Sequence, residues 1–125
     1  MLLEAAYEVE GDARTIVFVD VDGASADELL DIMVELAETV DAEILPADVA
    51  FRGDPDLPAL TPVDPETGQV GVSLTLRGIT RLADDEYEAT VSFARSGLDG
   101  GDLVLVVMWA GDGWTVVEQF HASTG

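Results

Sequence analysis

A chain of 125 residues is long enough to bury one hydrophobic core, and its 48% hydrophobic content excludes a disordered acidic tail, because disorder requires low hydrophobicity together with high net charge. Its 26 carboxylates face five basic residues, all arginine (Arg14, Arg52, Arg77, Arg81 and Arg95), and the resulting net charge of −21 opposes binding to a nucleic-acid backbone. Without cysteine, disulfides, thiol nucleophiles and thiolate metal sites are excluded together.

The missing lysine has a physical reading of its own. Carboxylates keep their hydration in brine, whereas lysine exposes a long hydrocarbon stem. In dilute buffer such a surface repels itself, but near 1 M salt the Debye length falls to ~3 Å and the repulsion is screened. The composition is that of a salt-adapted, halophilic protein. A mimic of a polyanion would gather its charge on one face at phosphate spacing, while here carboxylates run from Glu4 to Glu118. No apolar run approaches the ~20 residues that span a bilayer, and the opening residues lack the basic start and apolar stretch of a signal peptide, so the expected location is cytoplasmic.

Residues 2–10 alternate, with Leu3, Ala5, Tyr7 and Val9 on one side and Glu4, Glu8 and Glu10 mostly on the other, which predicts a half-buried strand. After a turn, Ile16 to Val19 are apolar on both faces, which predicts a more central strand over 14–21 paired with the first as a hairpin. Asp20-Val21-Asp22-Gly23 at its end resembles the first motif of haloacid dehalogenase-like phosphotransferases. The chain departs from that family in Ala24, in lacking lysine and in lacking β/α alternation, so the two aspartates read as a strand end leading to a helix cap.

Ser25-Ala26-Asp27-Glu28 is a capping box, and Leu29, Met33, Leu36 and Val40 recur at helical spacing, which predicts a helix over 26–40. On its other face Asp27/Asp31 and Asp31/Glu35 are like-charge pairs, each costing roughly 0.2–0.5 kcal/mol at low salt. All five prolines lie between 46 and 65, which predicts a long irregular loop with a short strand near 49–52. Asp54, Asp56, Asp64 and Glu66 place oxygen ligands in it at spacings that match no calcium-binding loop, so no metal is expected. Alternating apolar residues then predict strands over 70–81 and 86–95, a near-continuous apolar run predicts the central strand over 103–109, and a last strand follows over 114–121. The expected class is α+β, a curved antiparallel sheet of about six strands packed on one main helix, in a single domain over 1–125.

One position breaks its own pattern. On the last strand Glu118 alternates with Trp114, Val116 and Phe120, so a regular strand would aim a carboxylate between sheet and helix. Arg95 ends the face that carries Tyr87, Val91 and Phe93 and would be its counter-ion. Glu118, Arg95, Tyr87 and Trp114 are therefore the candidate ligand-binding residues, and a bulge would turn Glu118 outward. His121, the sole histidine, has no evident partner for acid/base work, and neither a catalytic residue nor a cofactor motif emerges.

A helix followed by long strands that close with Trp109-Ala110-Gly111-Asp112-Gly113-Trp114-Thr115-Val116-Val117-Glu118 resembles NTF2-like and cystatin-like domains over about residues 25–121. That resemblance implies a curved sheet around a helix, dimerisation through the sheet, and functions that range from small-ligand binding to acid/base enzymes. The expectation is a non-enzymatic binding or interaction module, a homodimer through its sheet, with a small apolar ligand or protein as its partner and neither nucleic acid nor membrane. The alternatives are a small-molecule enzyme or ligand binder using Glu118 in a cone-shaped pocket, and an acidic nucleic-acid mimic or immunity-type inhibitor.

Overall fold

A computed structural model describes residues 2–10, 14–97, 99–109, 111 and 113–121. Two helices, α1 (Leu2–Glu10) and α2 (Ala26–Thr39), accompany six strands: β1 (Ile16–Val21), β2 (Glu43–Pro46), β3 (Val72–Ala83), β4 (Glu86–Ala94), β5 (Gly100–Trp109) and β6 (Trp114–His121). The strands form one sheet in the order β2-β1-β3-β4-β5-β6. The fold is α+β, with the sheet packed on helices as expected. No helix among the described residues is long and apolar enough to cross a membrane.

The opening segment corrects the sequence reading. Residues 2–10 form a helix, not a strand, and bury Leu3 and Ala6, which lie three apart. Leucine, alanine and glutamate favour that state, and over nine residues the same apolar positions fit either period. The expected hairpin is therefore absent. β1 instead pairs in parallel with β2 (Val17 opposite Ile44) and with β3 (Val17 opposite Val72), so the sheet is mixed and not wholly antiparallel. Parallel pairing needs a crossover, and α2 supplies it between β1 and β2. The capping box starts that helix as expected: the Glu28 amide donates to Ser25 Oγ and the Ser25 amide to Glu28 Oε1, both at 3.2 Å.

The inner face of the sheet carries the core. Val17, Val19, Val72, Leu74, Val91, Phe93, Leu103, Leu105 and Val107 meet Leu3 and Ala6 of α1 and Leu36 of α2. Each such aliphatic or aromatic side chain taken from water contributes about 1.5–3 kcal/mol. α1 lies over β3 and β4, and α2 over β1 and β2.

The outer face is covered at one end only. Ile16 and Phe18 point there, and both are fully buried. The proline-rich segment lies across them: Phe51 pairs with Val63, Val63 pairs with Val70, the Gly71 amide donates to the Pro62 carbonyl at 2.9 Å, and Arg52 Nη2 donates to Ser73 Oγ at 2.9 Å. A Cβ on Gly71 would sit 2.7 Å from the Phe18 ring and 2.8 Å from the Ile16 carbonyl oxygen, so only glycine admits this approach. Residues 49–52 form no strand; a 3-10 turn over Ala47–Val49 leads instead to the isolated bridge at Phe51.

Candidate functional site

The four residues singled out in the sequence are not brought together. Along β5 and β6, Val106 pairs with Glu118 and Val107 with Val116, so Val117 is bulged out between them. A bulge reverses the facing of the residues beyond it. Val116 stays on the inner face while Glu118 turns to the outer face, where it is exposed. The carboxylate partner of Arg95 is Asp99, not Glu118: Nε donates to Oδ2 at 3.0 Å and Nη2 to Oδ1 at 2.8 Å. Tyr87 is the second residue of β4 whereas Arg95 follows its end, so the sheet holds them far apart. The Trp114 side chain lies outside the described part of the structure. A cone pocket built on Glu118 is thus absent among the described residues.

The aspartates after β1 are engaged locally. Asp20 Oδ1 accepts the Val21 amide, and Asp22 pairs with Arg77 at 3.3 Å. Arg77 Nε also donates to Ser92 Oγ at 2.9 Å, and Ser92 donates to Asp102 at 2.5 Å, which makes a polar ladder across the outer face. Asp64 is buried, yet its two oxygens accept the Glu66 amide and the Thr67 hydroxyl at 3.0 Å and so close their own turn. No cluster of three or more potential metal ligands occurs among the described residues.

A different cavity, of about 230 Å³, opens where the chain enters β1 and β3 and turns from β4 to β5. Arg14, Leu57, Pro58, Thr61, Val70, Arg95, Ser96 and Asp99 line it. The Arg95 side chain, 17% exposed, is clamped by Asp99 and lies over the Phe93 ring at 5.2 Å from its centroid. Hydrogen bonding from Arg95, and then the charges of Arg95 and Arg14, hold the Asp99 carboxyl below the usual carboxylate range. The proline loop is tied in from the other side, since the Gly97 amide donates to the Ala59 carbonyl at 2.7 Å. Next to that contact Leu60 adopts φ 61°, a left-handed conformation that leucine avoids. Sequence spacing could not reveal this cavity, because its walls come from four separate segments.

The opposite end of the sheet is apolar and open. Ile79, Leu82, Met108, Trp109, Val116, Val117 and Phe120 are all 39% exposed or more. Ile79, Trp109 and Val116 lie on the inner face, beyond the reach of the two helices. β6 is also an edge strand. Along the sequence, residues 1–66 hold 18 of the 26 carboxylates and two arginines, net −16, which leaves −5 on residues 67–125. Comparison with family models, curated proteins and solved structures found no match to the chain.

Proposed function

We propose that this chain is a salt-adapted, non-enzymatic association module whose partner is a second copy, bound through the β5–β6 end of the sheet. The observation that carries the reading is the exposed apolar run of Ile79, Trp109 and Val116 on the inner face, beyond the helices and beside the open edge of β6. Two molecules of net charge −21 repel wherever their carboxylates meet, so their association requires salt to screen that charge. Seven of the 13 exposed large hydrophobic residues among those described lie on β3, β5 and β6.

Apolar patches above a few hundred Å² are uncommon on monomers, and a standard interface buries ~800 Å² per subunit. The open edge of β6 adds backbone donors and acceptors that a second β6 can satisfy. Dimerisation through the sheet is also what the resemblance to NTF2-like and cystatin-like domains implies. Light scattering in molar KCl, on the wild type and on Val116→Asp, tests the reading. A dimeric wild type and a folded, monomeric variant are expected; a wild type that stays monomeric at high micromolar concentration would refute it.

A further inference from the structure

We propose that the second copy joins by antiparallel pairing of β6 with β6, about a two-fold axis between Val117 and Glu118, so that two sheets become one. This register rests on self-association through the β5–β6 end of the sheet. Its phase comes from β5. The Trp109 amide donates to the Asp85 carbonyl at 2.8 Å, so Trp109 turns its backbone toward β4, and the unbroken β4–β5 register gives Val107 and Leu105 the same direction. Their partners on β6, Val116 and Gln119, therefore turn their own N–H and C=O groups away from β5, toward the open edge.

Between these two residues lies the bulge. Val116 and Gln119 stand three positions apart, although their partners Val107 and Leu105 stand only two apart. A regular strand laid along this edge would meet one of them and miss the other, which is how a bulge protects an edge. A second β6 running antiparallel carries the same break. With the axis between Val117 and Glu118, Val116 of each copy comes opposite Gln119 of the other, and both sets of outward groups are met. Facing agrees with that register: Val116 and Gln119 lie on the inner face, while Thr115 and Phe120, which also come opposite, lie on the outer face. A two-fold contact demands this kind of self-complementarity. The other edge offers no such seam, because β2 is four residues long, ends in Pro46 and passes straight into the 3-10 turn. Glu118 is the one carboxylate on β6, and the axis sets its two copies diagonally across the seam, where they repel.

Amide hydrogen exchange of the wild type in molar KCl, dilute and concentrated, tests the register; the Val116 and Gln119 amides should slow about ten-fold or more as the dimer forms. The chain has no cysteine, so an oxidised, equimolar mixture of Val116→Cys and Gln119→Cys reports a single contact. Opposite residues bring Cα atoms to about 5.5 Å, inside the ~4.4–6.8 Å that a disulfide spans, whereas like residues lie about 10 Å apart along the strands. The mixed disulfide should exceed either like pair. At low salt Glu118→Gln should dimerise up to about five-fold more tightly than Glu35→Gln, which removes the same charge from α2. A wild type that dimerises without protecting Val116 and Gln119, or folded cysteine variants that give no excess of mixed disulfide, would overturn the register and leave self-association through this end standing. Equal affinities for Glu118→Gln and Glu35→Gln would overturn the position of the axis. A wild type that stays monomeric would overturn both the register and the association itself.

Discussion

Replacing Gly71 by alanine tests whether the proline-rich segment truly seals the outer face over β1. Gly71 lies outside the left-handed region, so its backbone conformation is open to alanine and any penalty must come from packing. The added methyl would meet the Phe18 ring at 2.7 Å and the Ile16 carbonyl oxygen at 2.8 Å. The ring can shift, but the carbonyl belongs to a fully buried strand and cannot. Overpacking of this kind costs about 1–3 kcal/mol. At roughly 4 °C per kcal/mol for a domain of this size, a mid-range cost lowers Tm by about 8 °C. If the segment stood away from the sheet, the same substitution would stabilise the protein by about 0.4–1 kcal/mol through the unfolded chain. The two arrangements thus predict opposite signs. Urea melts in molar KCl read the difference, and Phe18→Leu combined with Gly71→Ala should cost less than the sum of the two single changes, since only the ring contact is relieved. A wild-type or raised midpoint for Gly71→Ala would refute this placement of the loop.

Two further outcomes are expected. Stability should rise between about 0.05 M and about 2 M KCl as screening relieves the −21 charge, and equal thermal midpoints by circular dichroism would sink the salt-adapted reading. Asp99 is held ionised by Arg95, so its folded pKa lies below its unfolded value; its contribution is present above ordinary carboxylate pKa values and is lost as pH falls through the lowered one. A carboxyl ¹³C titration should place Asp99 below the ordinary aspartate range and move it upward in Arg95→Gln, and an unmoved midpoint would count against the clamp.

Where pattern and packing agree, the sequence was legible. Ser25 and Glu28 announce α2, and the alternation of Tyr87, Ala89, Val91 and Phe93 gives β4 its inner face. The two-faced run Ile16–Val19 marks a central strand, and the structure buries all four residues. What failed was pairing. Which strands flank β1 depends on contacts with residues 43–46 and 72–76, which no local period encodes. β2 is four residues long and ends in proline, too short for alternation to register. Of the two facings open to Glu118, one bulged residue, Val117, selects the outward one, because a strand's period of two turns any single insertion into a change of face. The carboxylate that Arg95 engages is Asp99, four residues on, across a turn whose geometry no local pattern encodes.

The register of β1 against β3 has a kinetic consequence. β3 to β6 pair through short turns, so each contact closes a small loop, whereas Val17 meets Val72 only after α2, β2 and the proline segment have been gathered in. Closing a long loop carries an entropic cost that local hairpins avoid, and pairings distant in sequence are slow for that reason. The meander therefore forms ahead of the β1–β3 seam. Until that seam closes, Ile16 and Phe18 are in water, and the apolar end of the meander is exposed while most of the molecule's charge still hangs from an unfolded segment. That charged segment keeps early chains apart during the interval in which they are most able to aggregate.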